Sequence, residues 1–142
     1  MSEVEQLAEE QKFSKKEEYK LSGKTFNVIV THWQTDGYAD VGIAPEEHWC
    51  LYVVISNTHP LFKKACDYVE DQYGYDYGDK IYPNWHGGCT YYNKQETYVK
   101  IGCNYHHIGD EQYWSCIEMP EDVENDARDL FKFFEDAEGV TE

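Results

Sequence analysis

A chain of 142 residues, 41% of them hydrophobic, has the size of one compact domain and is too short for two independent cores joined by a linker. Against 28 Asp and Glu it carries only 12 Lys and Arg, a formal net charge of -16. Such a surface repels phosphate backbones, so direct nucleic-acid binding is not expected and the macromolecular partners should be basic.

The first 22 residues are rich in Glu, Gln and Lys with few large apolar groups, which predicts a polar, mobile arm ahead of a single domain over 23–142. Phe26 to His32 is β-branched and apolar enough for a strand, and Thr35-Asp36-Gly37 supplies a turn. A second short strand is expected from Ala39 to Ile43, closing at Pro45. Trp49 to Ile55 is almost continuously apolar and predicts a central strand covered on both faces. Pro60 suits the first position of a short helix, with Thr58 or His59 as its cap.

From Asp67 to Pro83 five Tyr, two Gly and four Asp show no periodicity, and the stretch reads as a long loop. Strands follow at Gly88 to Tyr92 and Thr97 to Asn104, joined by the turn Asn93-Lys94-Gln95-Glu96. In the second of these, Val99, Ile101 and Cys103 share a core face, while Tyr98, Lys100, Gly102 and Asn104 share the other. Pro120 opens the clearest helix, whose apolar stripe is Val123, Ala127, Leu130, Phe131 and Phe134, with Gly139 as its stop. The fold class is therefore α+β: an antiparallel sheet of about four to six strands with a C-terminal amphipathic helix packed on one face.

Charge is uneven along this order. Glu118 to Glu142 holds ten acidic and two basic residues, half of the whole net charge. Asp122, Glu124, Asp126 and Asp129 on the last helix are accordingly expected to form a partner-facing negative surface, a charge mimic of nucleic acid for a basic protein groove. The simpler alternative is a solvated acidic helix. Five cysteines, at 50, 66, 89, 103 and 116, include no C-x-x-C pair, and the acidic start Met1-Ser2-Glu3 lacks an apolar leader, so reduced thiols in a cytoplasm are expected. No apolar run approaches the ~20 residues that span a bilayer, and no membrane partner is expected.

Two glycine-punctuated histidine segments, Trp85-His86-Gly87-Gly88-Cys89-Thr90-Tyr91 and Gly102-Cys103-Asn104-Tyr105-His106-His107-Ile108-Gly109-Asp110, flank the expected hairpin. Pairing of its strands should bring His86 and His107 together, with Asp110 and Asn104 alongside. Glycines at 87 and 88 let backbone approach closely. The ligand-binding set read from this pattern is His86, Gly87, Gly88, Tyr91, Asn104, His107 and Asp110. No nucleophile elbow, Walker loop, dinucleotide fingerprint or zinc-ribbon spacing occurs, so no cofactor, metal or catalytic residue is assigned.

These segments resemble a group of short accessory proteins of tailed phages and prophages marked by H-G-G-x-T-aromatic and then G-aromatic-D-x-x-H-x-G-D, preceded by C-G-Y-V and a G-H-P-aromatic turn. The matching residues are Cys50, Tyr52, Val53, His59, Pro60, His86, Gly87, Gly88, Thr90, Tyr91, Gly102, His107, Gly109 and Asp110, across roughly residues 48 to 110. Leu51 replaces the first glycine, and Asn104 stands where the group has an aspartate, which removes a potential general base or anionic ligand. The resemblance implies a phage-borne origin in a host cytoplasm, not a reaction.

The leading expectation is a non-enzymatic binding protein that antagonises a host defence system: an anti-CRISPR-like inhibitor of a nucleic-acid-binding nuclease, or a protein that sequesters a nucleotide-like signal. The rival is a small metal-assisted hydrolase using His86, His107 and Asp110, with His48 or His59 nearby. A phage structural component is a third class that the high charge disfavours.

Overall fold

The computed structural model describes residues 13–35, 40, 42, 44–66, 81–107 and 109–139, with side chains from residue 18 onward. Five antiparallel strands form one open sheet: β1 (Phe13–Ser22), β2 (Phe26–Thr35), β3 (Glu47–Ser56), β4 (Tyr91–Lys94) and β5 (Tyr98–Asn104), in the spatial order β1-β2-β3-β5-β4. A short helix, α1 (Phe62–Cys66), follows β3, and the long α2 (Glu121–Glu138) covers one face. The class is α+β, as the alternation of apolar residues in the strands and the stripe on the last helix require.

Period-2 alternation places Phe26, Val28 and Val30 of β2, Trp49, Leu51, Val53 and Ile55 of β3, and Val99, Ile101 and Cys103 of β5 on the buried face. Val123, Ala127, Leu130 and Phe134 of α2 close over them, each at 5% exposure or less. Fully burying a side chain of this kind contributes roughly 1.5 to 3 kcal/mol, so this interface dominates the stability. Phe131 belongs to the rim: it is half-buried, tilted against Phe26 at 5.1 Å between ring centroids.

Three expectations are corrected. The sheet takes in Phe13–Ser22, half of the stretch read as an arm, because antiparallel pairing with β2 from Lys15↔Gln34 to Ser22↔Asn27 needs backbone groups rather than apolar side chains. Residues 1–12 of that arm lie outside the described residues. The strand expected at Ala39 to Ile43 falls largely outside them as well; Asp40 and Gly42 lie in helical-turn and turn backbone. β3 is central but not covered on both faces, since His48, Tyr52, Val54 and Ser56 alternate as half-exposed positions. Gly139 does end α2, with φ -78 in a right-handed cap. Most of the loop expected over 67–83, namely 67–80, also lies outside the described residues.

Smaller shifts follow from the register. β4 starts at Tyr91 rather than Gly88, because Gly87 and Gly88 have φ values of 67° and 90° that no strand accommodates. Gly102 on β5 is required for another reason: a Cβ there would lie 2.3 Å from the Tyr52 ring and 2.6 Å from the Leu51 carbonyl oxygen. α1 begins two residues after Pro60, with His59 Nδ1 accepting the Leu61 N–H at 3.0 Å.

Candidate functional site

The register brings the C-terminal ends of β2 and β5 and the N-terminal ends of β3 and β4 to one end of the sheet. Five of the six histidines, His32, His48, His86, His106 and His107, collect there. The chain leaves β5 through Tyr105, and successive residues then alternate sides: His106 turns to the open face of the sheet and His107 to the face that carries α2.

On the α2 side, Asp110 ties two imidazoles together. His86 Nε2–H donates to Asp110 Oδ1 at 2.7 Å, and His107 Nδ1–H donates to Oδ2 at 3.1 Å, while the His107 backbone N–H reaches the same Oδ2 at 2.8 Å. Burial alone raises the Asp110 carboxyl, yet the His107 N–H and the His86 ring outweigh it, holding the carboxyl below its ordinary value. An ionised carboxylate only accepts, so both ring nitrogens that face it carry protons. Asp110 is 8% exposed, whereas His86 and His107 are 25% and 33% exposed at the side chain. The other ring nitrogens, His86 Nδ1 and His107 Nε2, have no hydrogen-bond partner among the described residues and accept whenever their ring is unprotonated.

The support beneath His86 is aromatic. Its ring stacks on Tyr105 at 4.3 Å and meets the edge of Tyr113 at 5.7 Å. Tyr105 Oη–H donates to Asp126 at 2.6 Å, and Tyr113 Oη–H donates to Asp122 at 2.9 Å. Burial, reinforced by Cys103 and Asp126, pushes the Tyr105 phenol far up, so it remains a donor and never serves as a base. Gly87 has its place for a steric reason: with φ 67 and a Cβ position 2.9 Å from the His107 ring, it is the only residue type that lets the two segments close.

Of the residues expected to bind ligand, the fold thus assembles His86, Gly87, His107 and Asp110. Gly88 shapes the turn by donating its N–H to the Trp85 carbonyl. Tyr91 stands apart on the open face, edge-on to Tyr52 and under the Lys100 ammonium, because it is paired directly with Gly102. Asn104 is spent on local structure: its Oδ1 accepts the His106 N–H at 3.1 Å and its Nδ2 donates to Thr90 Oγ1 at 3.4 Å. Of the acidic set on α2, Asp122 and Asp126 turn an oxygen inward to the tyrosines, Glu124 pairs with Arg128 at 2.9 Å, and Asp129 is exposed. His59 lies at the opposite end of the sheet, away from any joint role.

A second cluster was not anticipated. On the open side, Trp33, His48, His106 and Trp114 stack face to face, with centroid separations of 6.1, 3.8 and 4.5 Å, and His106 Nε2 lies 3.6 Å from Glu46 Oε1. Only the cross-strand register, which sets Trp33 opposite His48, could have revealed it. A third group is buried except at Gln34: His32 Nε2–H donates to Glu47 at 2.7 Å, half-buried Gln34 donates to the other Glu47 oxygen at 2.6 Å, and the His32 ring lies flat on Trp49 at 4.0 Å.

Both exposed clusters contain enough donors for a metal ion, Glu46 with His48 and His106, and His86 with His107 and Asp110. Ring geometry discriminates. A metal must lie near the plane of each imidazole that binds it, and the His48 and His106 planes, 3.8 Å apart and only 15° from parallel, do not converge nearby. Imidazoles sharing a tetrahedral ion at ~2.0–2.1 Å have centres about 5 Å apart. Those of His86 and His107 are 6.1 Å apart with Asp110 wedged between them. The His86, His107 and Asp110 group fits hydrogen bonding through Asp110 better than a shared ion.

No protein-family model matches this chain, and no curated protein or solved structure matches it.

Proposed function

We propose that this is a phage- or prophage-encoded binding protein, not an enzyme, that antagonises a host defence system by occupying the basic groove of a nucleic-acid-binding nuclease. The observation that carries the reading is the outward face of α2. Glu121, Asp122, Glu124, Asp129, Glu135 and Asp136 are exposed there against two exposed cations, one of which, Arg128, is already paired with Glu124. A cluster of carboxylates on one helix presents the sign of a phosphate backbone, and a chain of net charge -16 reaches a cationic partner with long-range steering.

The same electrostatics argue against the nucleotide-like ligand that the sequence allows. A phosphate entering the His86 and His107 end would meet two acceptor nitrogens beside Asp110, Asp122 and Asp126. The hydrolase reading draws on one observation, that His86, His107 and Asp110 do converge. Its weakness is the metal: both Asp110 oxygens are already occupied by three donors, and position 104 is an amide held elsewhere, so no carboxylate in the group is free to hold an ion.

The test is affinity capture of the tagged chain from host cells at low and high salt, alongside a Glu124→Lys, Asp129→Lys, Glu135→Lys variant. A basic nucleic-acid-binding protein should be retained by the parent chain, lost at high salt and lost from the variant. Retention by the charge-reversed variant, or turnover of cyclic nucleotides or nucleic acid by the purified chain, would overturn the reading.

A further inference from the structure

Asp110 fixes His86 and His107 in opposite tautomers, Nε2–H in one ring and Nδ1–H in the other, so that each ring turns its remaining nitrogen outward as an acceptor. Two acceptors on separate rings with centroids 6.1 Å apart call for donors spread over more than one atom. The surroundings set the sign of the donor. Asp110 bonds His86 directly, Asp126 and Asp122 bond the Tyr105 and Tyr113 rings that His86 packs against, and no Lys or Arg is paired with any of the three among the described residues.

We infer that the His86 and His107 pair is a recognition site for the guanidinium of an arginine side chain carried by the partner protein. This rests on the binding reading above and names the group that the site takes. A guanidinium offers five N–H donors over three nitrogens in one plane, which can bridge separated acceptors, whereas an ammonium concentrates its donors on a single atom. Protonating either ring replaces its acceptor with a donor and adds a positive charge, which expels the cation.

Substitutions that imitate only the nitrogen facing Asp110 separate recognition from folding. In His86→Gln the amide nitrogen takes the place of Nε2, and in His107→Asn it takes the place of Nδ1; both keep the bond to Asp110 and remove the second ring nitrogen, the amide oxygen falling where the ring has a carbon. The probe is an acetylated heptapeptide with one central arginine, its citrulline counterpart of equal shape and no charge, and inorganic phosphate. Binding is followed by calorimetry and by the imidazole Cε1–H resonances of the full chain.

The arginine peptide should shift the His86 and His107 resonances and saturate, and citrulline should bind at least tenfold more weakly. Each variant should melt within a degree or two of the parent while losing at least tenfold in affinity. A shift driven by phosphate, equal binding of citrulline, or full affinity in both variants overturns the inference. If α2 charge reversal abolishes partner capture while the variants bind the peptide normally, the binding reading survives and the arginine site does not.

Discussion

The two ends of the sheet each hold histidine on the side that carries α2, and they differ in what the ring has left over. At the far end His59 is buried at 3% exposure and both nitrogens are consumed: Nδ1 accepts the Leu61 N–H and Nε2–H donates to the Phe134 carbonyl, each at 3.0 Å. At the near end His86 and His107 each spend one nitrogen on Asp110 and keep the other. Each end also holds a carboxylate depressed by hydrogen bonds, Glu138 through the Thr25 N–H and hydroxyl at 2.6 Å and Asp110 through its histidines. A count of unspent nitrogens separates a histidine that closes a fold from one that faces outward, where residue type does not.

The most damaging change should strike the far end. Phe134 is fully buried and its carbonyl also anchors His59, so Phe134→Ala should cost about 3 to 5 kcal/mol in denaturant unfolding, a large share of a domain's ~5 to 15. Phe131→Ala, on the half-buried rim, should cost clearly less; equal costs would show that α2 is seated differently.

Next in size is the histidine contrast itself. His59→Ala removes two hydrogen bonds from a buried site and should destabilise by about 1 to 3 kcal/mol while leaving partner capture intact. His86→Gln should do the reverse. Matching stability losses in the two variants would erase the distinction between the ends.

Acid should reach both ends together. For Asp110 and Glu138 the folded carboxyl lies below the unfolded one, so their contribution is fully present above the ordinary carboxylate range and is lost as pH falls through the folded values. Melting temperature should therefore decline as pH drops below about 4, and Asp110→Asn should flatten part of that decline. An unchanged slope in the variant would mean that Asp110 is not held as described.

Much of this was legible in the sequence because it depends on short-range periodicity. The α2 stripe, the β4–β5 hairpin and the approach of His86 to His107 follow from spacings of three, four and two residues and from a single turn. β1 was missed because an edge strand is paid for by backbone pairing, and its Lys15-Lys16-Glu17-Glu18 core carries no apolar signal. The ring stack of Trp33, His48, His106 and Trp114 draws on four separate segments, so no local window contains it. The misplacement of Tyr91 and Asn104 has one cause: motif proximity says nothing about which face of a strand a residue occupies, and register decides that.

The smallest effects concern metal and Asn104. Elemental analysis of the purified chain should find well under one zinc or manganese per molecule, because the rings would have to close by about 1 Å to share an ion. One tightly held metal, lost in both His86→Ala and His107→Ala, would bring the hydrolase reading forward. Asn104→Asp keeps the acceptor for the His106 N–H and loses only a 3.4 Å donor, so it should shift stability by less than about 1 kcal/mol and confer no turnover.

The inward bonds of Asp122 and Asp126 divide the acidic helix into two kinds of position with different evolutionary freedom. At 122 and 126 the carboxylate must reach a fixed phenol, so even glutamate, one methylene longer, is a poor substitute. At 121, 124, 129, 135 and 136 only the sign of the charge is constrained, and Asp, Glu and their order along the helix are interchangeable. Descendants of this chain under selection for partner binding should drift freely at the second group while keeping its summed charge, and should hold side-chain identity at the first.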